Sequence, residues 1–118
     1  WTSIQGNFGP RGPKLDMSNI CAYDNYKEML LDPEIDLIDI CLPNDKHEEA
    51  AVLALEAGKH VLVEKPITVD LKGANRMVAA AQKSGRQFMV AQVLPFFPEF
   101  KFAAEVIASG KYGKIRAA

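Results

Sequence analysis

The sequence predicts an α/β domain built on a parallel sheet, and three observations support that class. Apolar strands alternate with amphipathic helical stretches, the connections between them are short, and two of the strands end abruptly in polar residues beside a proline. Strands of a parallel sheet covered on both faces read as apolar runs, and the polar residues that follow them arrive at the carboxyl edge, where open sheets of this kind bind ligands.

The elements follow in order. Gly6, Gly9 and Gly12 interleave with Pro10 and Pro13, which predicts a loop over residues 1–19, and Ile20-Cys21-Ala22 predicts a short strand. A short helix over 24–31 packs Tyr26, Met29 and Leu30 and ends at Asp32-Pro33, because the residue before a proline avoids helical backbone. Residues 35–42 form a strand that carries Asp39 and holds Cys41 inside, and it breaks at Pro43-Asn44. A helix over about 45–57 is capped by Asn44 or Asp45, with Glu48 completing a capping box, and Gly58 closes it in the left-handed conformation. His60-Val61-Leu62-Val63 is the next strand, with His60 structural at its start, and it runs straight into Glu64-Lys65-Pro66. Leu71, Ala74, Val78 and Ala81 then recur on one helix face up to a stop at Gly85, residues 87–94 form a third strand, and a last helix from Pro98 buries Phe100, Ala103 and Ile107 before Gly110.

Strand–helix repeats with short links call for right-handed crossovers, so three strand ends lie side by side. They carry Pro43-Asn44, Glu64-Lys65-Pro66 and Gln92. A lysine at such an edge presents its ammonium to a hydroxyl, carbonyl or phosphate, while Pro66 stops the strand and stiffens the turn that aims it.

The succession from Asp36 to Asn44, then His47, then Glu56-Ala57-Gly58-Lys59-His60-Val61-Leu62-Val63-Glu64-Lys65-Pro66 resembles the Gfo/Idh/MocA oxidoreductases. The resemblance runs from about Tyr23 to Arg116 and implies part of a doubly wound, parallel-sheet (Rossmann) domain binding NAD or NADP. It implies hydride transfer between nicotinamide and a hydroxyl-bearing carbon of a sugar, cyclitol or related small molecule. Carried over residue by residue, Lys65 is the catalytic candidate beside the nicotinamide ribose and reacting hydroxyl, Glu64 helps fix the cofactor, and Leu42, Asn44 and His47 line it. Gln92, at the third strand end, joins the cofactor-binding set, and no metal ligand is implied. A cation beside the developing carbonyl oxygen lowers the cost of removing the hydroxyl proton as hydride departs.

The chain lacks the family's opening strand and G-x-G-x-x-G turn. It begins at Trp1 and ends just beyond Ser109-Gly110-Lys111-Tyr112-Gly113-Lys114-Ile115-Arg116, a stretch that in the family leads toward a substrate domain. The expectation is therefore an interior piece of a longer protein: residues 1–118 as a partial dinucleotide-binding domain, with strand–helix repeats over 20–110 and a connection from 111. Without its first two strands, such a piece should expose the 35–42 strand as an edge, bind dinucleotide weakly and aggregate; nanomolar NAD(H) binding by the 118 residues would overturn that.

Composition narrows the partners. A net charge of −1 gives no long-range attraction for nucleic acid or an anionic membrane, and no apolar run approaches the ~20 residues that span a bilayer. The expected partners are a small molecule and further copies of the intact protein, and the expected compartment is the cytoplasm. Cys21 and Cys41 lack metal-ligand spacing and are expected to be reduced structural thiols. Phe96, Phe97, Phe100 and Phe102 lack the basic stripe of a nucleic-acid stacking surface, which favours core packing and a domain interface. A signalling receiver is disfavoured because only one helix and one strand separate Asp39 from Lys65. A non-catalytic dinucleotide sensor stays open, because Val93-Leu94-Pro95-Phe96 has a proline where many relatives carry a basic residue.

Overall fold

The computed structural model describes Asp16 and residues 18–116. The glycine- and proline-rich loop expected over 1–19 lies almost wholly outside the described residues. Three strands, β1 (Leu37–Ile40), β2 (His60–Val63) and β3 (Phe88–Val90), form a sheet in the order β1-β2-β3. Both pairings are parallel, with Ile38 opposite Val61 and Val61 opposite Phe88. Four helices accompany them among the described residues: α1 (Tyr26–Leu31), α2 (His47–Glu56), α3 (Leu71–Ser84) and α4 (Pro98–Ser109).

The core sits on one face of the sheet. Neighbouring residues in register point the same way, so Ile38, Ile40, Val61 and Val63 form a buried apolar patch continued by half-buried Phe88 and Val90. Helix α2 lies on that patch through Ala50, Ala51, Ala54 and Leu55, and small side chains let it approach both the sheet and α3 closely. Leu55, Met77 and Val63 are the largest apolar side chains wholly removed from solvent. The expectation that the strands are covered on both faces needs correction: among the described residues the opposite face is open, with Leu37 at 55% and Met89 at 51% exposure. β1 alternates exposed and buried residues, and as an edge strand it leaves Cys41 exposed rather than inside.

Local chemistry sets the helix ends. Gly58 (φ 78°), Gly85 (φ 67°) and Gly110 (φ 65°) take the left-handed conformation where the sequence places stops. Asn25 caps α1, accepting from the Lys27 N–H, and Asp70 caps α3, accepting from the Gly73 N–H at 2.6 Å. Several expectations fail locally. Ile20–Cys21–Ala22 form no strand, and they are left without a partner, as expected of a sheet lacking its first strands. The Asp45/Glu48 capping box is absent: Asn44–Lys46 is a 3-10 turn, α2 starts at His47 without a side-chain cap, and Glu48 instead receives Arg76 of α3 in a two-pronged ion pair.

The buried face of α3 is Gly73 and Met77 with Ala80 and Ala81 partly covered, whereas Leu71 and Val78 are exposed. Close packing against α2 places Gly73 and the unbranched Met77 inward and leaves Leu71 and Val78 outward. The face of α4 also departs from expectation: Phe100, Phe102 and Ile107 are at least half exposed, and its main packing partner among the described residues is the Leu94–Phe96 turn. The four phenylalanines are thus not part of the core described above.

Candidate functional site

Parallel strands deliver their carboxyl ends to one edge, and the backbone stitches these ends together. The Glu64 N–H donates to Ile40 O at 3.0 Å, and the Ala91 N–H donates to Val63 O at 2.8 Å, extending each pairing by a residue past the strands. The turns that follow form a rim on which Leu42, Asn44, Glu64, Lys65 and Gln92 are all exposed. The structure brings these five sequence-predicted residues to a common edge.

Glu64 folds over its own turn, its Oε2 accepting the Lys65 N–H at 3.0 Å. Among the described residues the Lys65 ammonium has no hydrogen-bond or ion-pair partner, so it is available to a ligand. Partial desolvation, followed by the carboxylates of Asp39 and Glu64, pushes the Cys41 thiol above its usual range. The protonated thiol is a poor nucleophile, so this cysteine sits beside the rim without adding covalent chemistry to it.

His47, the sixth predicted site residue, is placed behind the rim and not on it. It is wholly buried. Its Nε2 lies 2.8 Å from Leu42 O and its Nδ1 2.9 Å from Pro66 O. Carbonyl oxygens only accept, so each of these contacts is a hydrogen bond donated by the ring nitrogen that faces it. The ring therefore ties the turn leaving β1 to the turn leaving β2.

Lys59 escaped sequence reasoning altogether. It is 8% exposed, and its ammonium donates to Asp32 O at 2.6 Å and Ile35 O at 2.8 Å, fixing the loop between α1 and β1. Nothing in a Gly-Lys-His triplet signals that its partners are carbonyls more than twenty residues upstream. His60 meets its structural expectation, its Nδ1 accepting the Gln87 N–H at 3.0 Å. Nearby, the Tyr23 hydroxyl donates to Asp32; this bond and the Glu34 N–H hold the Asp32 carboxyl below its usual range, while the phenol is pushed up.

A groove of about 490 Å³ runs between α2 and α3 past Val52, Leu53 and Ala80, and no rim residue lines it. A second, of about 240 Å³, flanks the free edge of β1 and reaches Leu42. Among the described residues no three of His, Cys, Asp and Glu cluster as metal ligands, and no helix is long and apolar enough to cross a membrane.

The donor set at the rim suits a nicotinamide nucleotide: Asn44 and Gln92 carboxamides both donate and accept, Glu64 accepts, and Lys65 donates as a cation, matching a carboxamide and ribose hydroxyls. Open parallel α/β sheets bind their ligands at this carboxyl edge, dinucleotides among them. The family described as "Oxidoreductase family, NAD-binding Rossmann fold" (GFO_IDH_MocA) matches residues 13–92, and the chain belongs to it.

Among its relatives, trans-1,2-dihydrobenzene-1,2-diol dehydrogenase of Bos taurus is 38% identical over 95 residues, covering 80% of this chain and 28% of that protein. D-xylose 1-dehydrogenase (NADP(+)) of Hypocrea jecorina is 36% identical over 94 residues, covering 80% and 24%. The crystal structure of myo-inositol 2-dehydrogenase from Lactobacillus plantarum superposes with a TM-score of 0.74 at 29% identity, covering 79% of this chain and 28% of that one. The chain spans 24–30% of the length of the curated relatives it matches.

Proposed function

We propose that the intact protein is an NAD(P)-dependent oxidoreductase acting on a hydroxyl-bearing carbon of a sugar, cyclitol or related small molecule in the cytoplasm, and that residues 1–118 are part of its dinucleotide-binding domain. The observation that carries this reading is that Lys65, whose ammonium has no partner among the described residues, shares one parallel-sheet rim with Asn44 and Glu64. The diol, pentose and inositol dehydrogenases among its relatives support the substrate class. Bound nicotinamide supplies the hydride acceptor or donor, and the chain's own groups do the rest.

Lys65 holds a positive charge next to the reacting oxygen, so the hydroxyl proton leaves more easily as the carbon–oxygen bond gains double-bond character. Glu64 fixes the turn through the Lys65 N–H and offers a carboxylate oxygen to a ribose hydroxyl. Asn44 and Gln92 orient the nicotinamide end, and Leu42 gives it an apolar wall.

The experiment is steady-state oxidation of polyols and aldoses by the intact protein with NAD+ or NADP+, wild type against Lys65→Ala. Turnover should fall by about 10²- to 10⁴-fold, with cofactor affinity changed only modestly. Unchanged turnover would exclude Lys65 from the chemistry. One observation favours a second reading, a dinucleotide sensor: Pro95 occupies the 3-10 turn Leu94–Phe96 directly after the rim and carries no cationic side chain there. Tight cofactor binding with no turnover on any polyol or aldose would select it.

A further inference from the structure

We infer that His47 is a positioning residue that locks the two ligand-bearing turns of the rim into one unit, so that Asn44 and Lys65 are presented together. This rests on the dinucleotide reading above and goes beyond it, because it moves His47 from lining the cofactor to acting through other groups.

The geometry leaves the imidazole little other role. The residue is wholly buried, so its ring offers no surface to a ligand. Its two nitrogens face two carbonyls, one on each turn, at 2.8 and 2.9 Å. One carbonyl belongs to Leu42, two residues before Asn44, and the other to Pro66, the residue after Lys65. Past the strand ends the sheet's own ladder supplies only the Glu64 N–H bond to Ile40 O between these two segments. Beyond that bond the turns would be free to part, and the imidazole bridges them where the ladder stops.

The position in sequence explains how it reaches both. His47 opens α2, immediately after the 3-10 turn that carries Asn44. Helix α2 packs on β1, β2 and α3, so the ring is anchored to a rigid element while its nitrogens hold two loops. Aligned turns bind in one step, whereas splayed turns bind only in the fraction of time they meet. Apparent affinity falls in proportion to that fraction.

Three versions of the intact protein test this. His47→Ala removes both bonds; His47→Gln keeps the approximate size and one amide donor end but cannot donate to both carbonyls; Met77→Ala destabilises the core from α3 at a residue that is not on the rim. Binding of NADH and of NADPH is measured by titration calorimetry, and amide hydrogen exchange is followed over residues 42–46 and 64–68 with each protein free of nucleotide.

The clasp predicts that His47→Ala and His47→Gln raise the dissociation constant by about tenfold or more and speed exchange in both segments together. Met77→Ala lowers the melting temperature but leaves both readouts near wild type. Should His47→Ala fail to fold, His47→Gln carries the comparison. Exchange unaltered in either segment, or a binding loss no greater than that of Met77→Ala, would overturn the proposal. Failure of the wild-type protein to bind either nucleotide would instead sink the dinucleotide reading, and exchange would still decide whether His47 couples the turns.

Discussion

Replacing Gly73 by alanine sets two effects of similar size against each other. Gly73 lies in the first turn of α3 with ordinary helical backbone, and alanine is favoured over glycine in a helix by up to about 1 kcal/mol. A Cβ there would stand 2.7 Å from Glu48 Oε2, 3.0 Å from Thr68 Oγ1 and 3.3 Å from Thr68 Cγ2. Glu48 cannot simply swing aside, because Arg76 grips both of its oxygens, and the β-branched Thr68 has a stiff χ1.

Overpacking at such contacts costs about 1–3 kcal/mol, so the expected result is a net destabilisation of about 1 kcal/mol in urea unfolding followed by circular dichroism. The cycle with Glu48→Ala identifies the cause. Without the carboxylate the worst contact disappears, and the same glycine substitution should cost about 1 kcal/mol less. A stabilising Gly73→Ala, or an equal cost with and without Glu48, would refute the close-approach account of the α2–α3 contact.

Other outcomes follow from the ion pairs and the buried lysine. Lys59→Met should destabilise by about 2–4 kcal/mol, because it strips charge-assisted bonds from two part-buried carbonyls; a melting temperature within a degree of wild type would contradict the assignment. The Arg76 guanidinium holds the Glu48 carboxyl below its ordinary value of 4.5. Its contribution is therefore fully present above that value and lost as pH falls through the lower, folded one. Glu48→Gln should accordingly flatten the acid limb of a stability–pH curve below about pH 4.5, and parallel curves for the two proteins would show that the pair has no effect.

The class of fold was legible because its signals are local. A glycine after a helix, a proline after a strand and an apolar tetrapeptide such as His60-Val61-Leu62-Val63 each state their structure without knowledge of distant partners, and the parallel order followed from their alternation. The positions of Asn44, Lys65 and Gln92 were legible for the same reason, since each follows the end of a strand. What failed depends on neighbours. The rotation of α3 is decided by how near α2 comes, which places Gly73 and Met77 inward and Leu71 outward. Glu48 left its expected cap for an arginine twenty-eight residues on. His47 was placed in the right region with the wrong contacts, because its partners are backbone oxygens and carry no side-chain signature.

Parallel pairing also fixes when the rim can come into being. Leu37 meets His60, and Val61 meets Phe88, so each rung waits for an entire helical excursion to close before it forms. Among the described residues no hairpin offers a quick local start, and such nonlocal topologies mature slowly. On a ribosome, a nascent chain that has released Lys65 possesses two of the rim's three strand ends, and the segment bearing Gln92 must clear the exit tunnel before the third can dock. Until then the polypeptide carries an unfinished ledge open to stray pairing, which makes the order of synthesis part of how this edge is built.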